Sequence, residues 1–146
     1  MNKLEHPIHI AGISLITSNQ EAQIHNTIGN LWHDFMKFSL KDKLKDLSSP
    51  HIYAVYSDYE NGDKGGYKIT IGHAVNNLDN VPDELSSITI PAGNYKTYKA
   101  KSSSPEDIVE TWKMIWKQDS NQLNRSFQTD FEEYSDNQVM INIGYQ

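Results

Sequence analysis

Apolar residues along this chain follow two alternating periods. His9 to Thr17 is apolar and rich in β-formers, which predicts a strand. Ile24, Ile28, Leu31, Trp32, Phe35, Met36 and Phe38 then recur mostly three and four residues apart. That spacing lines one face of an amphipathic helix, whose start is expected in Ser18–Glu21. Ser39 to Ser49 is polar and expected to be irregular or briefly helical, closed by Pro50. His51–Tyr59 and Tyr67–Val75 read as a hairpin around the glycine-rich turn Glu60–Gly66.

The second half repeats the order. After a connector at Val81–Leu85, Ser87–Ile90 is a short strand, Pro91-Ala92-Gly93 a bend, and Asn94–Lys101 a further strand. Ser104 is placed to cap a helix with Pro105 at its first position and Glu106 and Asp107 at its positive end. Ile108, Val109, Trp112, Ile115 and Trp116 form that helix's apolar stripe. Asp119–Arg125 is a loop, and Phe127–Tyr134 and Gln138–Tyr145 are strands joined at Ser135-Asp136-Asn137.

Short internal matches support a duplication. Val55-Tyr56-Ser57-Asp58 is similar to Glu133-Tyr134-Ser135-Asp136, and Lys68-Ile69-Thr70-Ile71-Gly72 to Met140-Ile141-Asn142-Ile143-Gly144. The expectation is an α+β fold of one domain, 1–146. Duplicated βαββ units, about 5–80 and 86–146, would form a mostly antiparallel sheet with two helices packed on it. A ligand cleft is expected where the halves meet.

Composition narrows the function. The formal net charge is -6 and the Lys and Arg residues are scattered. Direct nucleic-acid binding is therefore not expected, and attraction of cations is. There is no cysteine, so disulfides and thiolate metal sites are excluded. The N-terminal residues lack a signal-peptide pattern, and no apolar run is long enough for a membrane span, which points to the cytoplasm. The six His are dispersed, and no catalytic, metal or cofactor motif is present.

The informative segment is Asp130-Phe131-Glu132-Glu133-Tyr134. Alternation along a strand places Glu132 and Tyr134 on one face and Phe131 and Glu133 on the other. The internal match sets Tyr56 beside Tyr134 in role and Ala54 beside Glu132, leaving room opposite the acid. Spacing alone admits two readings: acids solvated on an edge strand, or one Glu facing an aromatic cavity. In the second reading, Trp32 and Phe35 on the first helix, Trp112 and Trp116 on the second, and Tyr53, Tyr56 and Tyr134 on strands supply the walls.

Taken in order, several segments resemble the GyrI-like effector-binding domains, which also form the drug-sensing half of some AraC-type and MerR-type bacterial regulators. They are Leu31-Trp32 with Phe35, Ile52-Tyr53-Ala54-Val55-Tyr56 leading to Asp58-Tyr59-Glu60, and Gly66-Tyr67 before Ile71-Gly72. Ile90-Pro91-Ala92-Gly93-Asn94-Tyr95, Trp112 with Ile115-Trp116, and Phe131-Glu132-Glu133-Tyr134 complete the set. The resemblance implies a duplicated βαββ fold in which Glu132, not Glu133, lies in the cleft and pairs with lipophilic, cationic multidrug-type ligands. It implies a stand-alone sensor or sequestering protein. A hydrolase using the same Glu, or an interaction protein acting on gyrase or a transcription regulator, is the alternative. The domain fills the chain, so no helix-turn-helix is expected.

Overall fold

The computed structural model describes residues 2–18, 24–44, 46–60, 65–79, 81–118 and 125–145. Its elements in chain order are β1 (Asn2–Leu4), β2 (Ile8–Ser18), α1 (Ile24–Phe38), β3 (Leu47–Ser57), β4 (Gly66–Val75), β5 (Ser86–Ile90), β6 (Gly93–Lys99), α2 (Pro105–Lys117), β7 (Arg125–Ser135) and β8 (Gln138–Tyr145). Residues 19–21 of the expected first helix start, 61–64 of the first hairpin turn and 119–124 of the expected loop lie outside the described residues.

The strands form one 8-stranded sheet in the order β1-β6-β8-β7-β3-β4-β2-β5. Every neighbouring pair is antiparallel. The order is symmetric about the β7–β3 pair. On one side lie β3, β4 and β2, on the other β7, β8 and β6, the two βαββ units of an α+β fold. The outermost strands are exchanged: β1, which precedes β2, pairs with β6, and β5, which precedes β6, pairs with β2.

Both helices cover the same face. Leu31 and Phe35 of α1 pack with Ala54, Ile69 and Ile71, while Trp112 and Ile115 of α2 pack with Ile141 and Ile143. The opposite face buries Ile10, Tyr53, Val55, Tyr95 and Phe131, with Leu4 of β1 and Ile88 of β5 packed against them. Strands from opposite ends of the sheet thus share one cluster, so the sheet curls away from the helices. Gly12 and Gly72 face each other in the β2–β4 register. A Cβ on Gly72 would stand 2.2 Å from the Ala11 carbonyl oxygen, so only glycine permits this approach.

Local chemistry explains the element ends. Ser104 caps α2 by accepting a hydrogen bond from the Asp107 backbone N–H at 3.3 Å, with Pro105 in the first turn. The β7–β8 turn uses Asp136 and Asn137 at φ 37 and 65, the left-handed pair of a two-residue hairpin. The third strand departs from expectation. It begins at Leu47, before Pro50, and its pairing with β4 shifts register between Leu47 and Ile52. The irregularity accommodates a proline that has no N–H to give a ladder. Strand β1 was not expected from its three residues, because only pairing with β6 defines it.

Candidate functional site

The site is built on the sheet's centre. In the β3–β7 ladder Ala54 is the register partner of Glu132, Ile52 of Tyr134, and Tyr56 of Asp130. Side chains of register partners leave the sheet on the same face, and alternate residues share it. Ala54, Tyr56, Asp130, Glu132 and Tyr134 therefore all point toward the helices. The sequence match that equates Tyr56 with Tyr134 also equates Ala54 with Glu132. The local two-fold axis of the duplication thus runs through the Ala54–Glu132 pair.

That symmetry surrounds one carboxylate with donors from both halves. Tyr56 Oη donates to Glu132 Oε2 at 3.1 Å, and Tyr134 Oη donates to Oε1 at 2.5 Å. Trp112 Nε1 donates to Oε2 at 2.6 Å. Each tyrosine in turn meets a tryptophan from the other half's helix. Trp32 of α1 is edge-on to Tyr134 at 4.9 Å, and Trp112 of α2 is edge-on to Tyr56 at 5.4 Å.

Glu132 is 2% exposed. Burial raises its carboxyl above the ordinary glutamate value, and the bonds from Tyr134, Trp112 and Tyr56 pull it part of the way back. The same burial, with the Glu132 charge beside them, raises Tyr56 and Tyr134, so both stay protonated donors. All three hydrogen-bond donors to the carboxylate are neutral groups.

The carboxylate stands in the wall of a cavity of about 790 Å³ between the two helices and the sheet. Of the residues expected at the site, Glu132, Tyr134, Tyr56, Trp32, Trp112 and Trp116 line it. Trp116, 49% exposed, sits against Trp112 at 5.9 Å. Phe35 and Tyr53 are not brought there. Phe35 is buried in the α1 packing, between Trp32 at 6.0 Å and His73 at 5.3 Å. Tyr53 is an odd number of residues from Tyr56, so it leaves the opposite face. There its hydroxyl donates to Glu133 Oε2 at 3.2 Å, and burial with the Glu133 charge pushes it up to about 12.

The structure adds residues that the sequence reading did not place at the site. Tyr59 and Tyr67 line the cavity, with Tyr67 packed against Tyr56 at 5.8 Å. Arg125 also reaches the wall and donates from Nη2 to Asp130 Oδ2 at 2.9 Å. Asp130 was legible as a same-face neighbour of Glu132. Arg125 was not, because the β7–β8 register shifts between it and Asp130. Among the described residues, no group of three or more His, Asp or Glu is arranged to hold a metal ion. No helix among them is long and apolar enough to cross a membrane.

A duplicated α+β scaffold with a large aromatic cavity between its helices defines a small-molecule effector-binding domain. Residues 4–143 match the family model described as Cass2, integron-associated effector binding protein, and the chain belongs to that family. It is 36% identical over 133 residues to the Bacillus subtilis (strain 168) protein named "Putative transcriptional regulator protein YobU", covering 87% of this chain and 81% of that one. Two solved structures share the fold. One is the integron cassette protein VCH_CASS2 from the mobile metagenome of Vibrio cholerae, with TM-score 0.79 and 23% identity over 98% of this chain and 93% of that one. The other is SAV2435 bound to tetraphenylphosphonium, with TM-score 0.79 and 16% identity over 100% of this chain and 94% of that one.

Proposed function

We propose that this protein binds lipophilic, cationic aromatic molecules in the cavity between its helices, as a sensor or sequestering protein, with Glu132 as counter-charge. The observation that carries the reading is the state of Glu132. A buried carboxylate held only by neutral donors is solvated by dipoles yet keeps its charge uncompensated. A ligand cation a few ångströms away gains roughly 4 kcal/mol of Coulomb attraction at the effective dielectric of such sites. The faces of Trp and Tyr rings add about 0.5–2 kcal/mol each to cation binding. Neutral molecules of the same shape gain neither term. The tetraphenylphosphonium carried by SAV2435, a protein of the same fold, is an aromatic cation of this type and supports the reading.

Calorimetric titration with tetraphenylphosphonium tests it. Wild type is expected to bind, and Glu132→Gln, which keeps the side chain's shape and removes its charge, to bind at least tenfold more weakly. Equal affinity of the two proteins, or no binding by wild type, overturns the reading.

A further inference from the structure

The helix-facing wall of β7 carries two buried carboxylates, Asp130 and Glu132, two residues apart and so about 7 Å along the strand. Their surroundings differ in one decisive respect. Asp130 Oδ1 accepts the Gly144 backbone N–H at 2.9 Å, and Oδ2 accepts the Tyr59 hydroxyl at 2.6 Å together with the Arg125 guanidinium. The Arg125 and Asp130 side chains are 8% and 0% exposed. Arg125 lines the cavity and Asp130 does not. Glu132, by contrast, receives only neutral donors.

We infer that Arg125 is a specificity-determining residue: a built-in cation that occupies the place a second ligand charge would take, so that the cavity accepts molecules carrying one positive charge and rejects dications. This rests on the reading of Glu132 given above. With Arg125 in place, the inner wall presents a single uncompensated negative charge. A dication long enough to span the two carboxylates would bring its second charge against the guanidinium. Lys113, the other cationic side chain of the lining, is largely exposed and lies 3.6 Å from Glu110 on its own helix, so it leaves the inner balance unchanged. Without Arg125, Asp130 keeps as donors only the neutral Tyr59 hydroxyl and Gly144 N–H, like the neutral donors of Glu132, and the space the guanidinium vacates opens it to the cavity.

Two nearly isosteric probes measure this: the para-phenyl N-methylpyridinium cation, with one charge, and methyl viologen, with two. Each is titrated by calorimetry against the full-length protein. Wild type is expected to bind the monocation at least tenfold more tightly. In Arg125→Gln the ratio of the two affinities should move by tenfold or more toward the dication. Adding Asp130→Asn to that variant should return the ratio to the wild-type value. Because the ratio is read within one preparation, a partly unfolded fraction cancels. Should Arg125→Gln not fold, Asp130→Asn alone keeps the guanidinium in the wall and removes the Asp130 charge beside it, and its affinity for the monocation should fall at least tenfold.

A wild-type ratio near one, a ratio unmoved in Arg125→Gln, or an unchanged Asp130→Asn overturns the inference. Failure of the Glu132 reading looks different: there the monocation binds Glu132→Gln and wild type equally.

Discussion

Ala54 stands directly opposite Glu132 in the central strand pair, on the axis that relates the two halves of the fold. A duplicated unit places equivalent residues around such an axis, and here the equivalent tyrosines, Tyr56 and Tyr134, converge on one carboxylate. Two acids on the axis would repel each other in a dry site. Having alanine on one side and glutamate on the other avoids this, and Ala54 is packed into the core with Leu31 and Phe35.

Enlarging Ala54 should disturb the site through its packing without changing its charges. Ala54 is fully buried and packs with Leu31, Phe35 and Ile71. Ala54→Leu is expected to overpack this layer and cost about 1–3 kcal/mol of stability. Affinity for tetraphenylphosphonium should fall more than tenfold while the circular dichroism of the folded protein is retained. Thermal melts and titrations on one preparation check both effects.

Stability and binding should respond to pH in opposite directions. Burial raises the Glu132 carboxyl above its ordinary 4.5, so the folded protein holds this proton more tightly than the unfolded chain does. The stability from Glu132 is therefore fully present in acid and is lost as the pH rises through the raised value. Cation binding needs the ionised form, so affinity falls on acidification through that same range. At neutral pH Glu132→Gln should melt above wild type, and the difference should shrink toward acid. Melting curves that stay parallel at all pH values would show that Glu132 is not desolvated.

Gly29 separates stability from access. It lies in the interior of α1, lines the cavity, and a Cβ built on it meets nothing within 4 Å. Gly29→Ala should stabilise the protein by about 0.5–1 kcal/mol, because glycine loses the most chain entropy in a helix. Gly29→Trp is expected to narrow the gap between the helices. The affinity for tetraphenylphosphonium should drop at least fivefold, and that for a small cation such as tetramethylammonium should change less than twofold. A denaturant melt of the first variant and paired titrations of the second test these outcomes.

Much of this molecule follows from local pattern. Period and capping residues are local properties, so Ser104-Pro105 marks the start of α2 and Asp136-Asn137 its own hairpin turn. Strand alternation puts Glu132 with Tyr134 and apart from Glu133. The same alternation, applied to Tyr53 and Tyr56, separates those two residues onto opposite faces.

What only the tertiary structure decided depends on which distant segments meet. No local signal ties Asn2–Leu4 to β6, tells that Trp112 rather than Trp116 reaches Glu132, or brings Arg125 past a register shift onto Asp130. The sequence contains both acids of the wall. Whether each carries an open charge is set by the partners that the curled sheet and its helices deliver: a guanidinium for Asp130, and only hydroxyl and indole dipoles for Glu132.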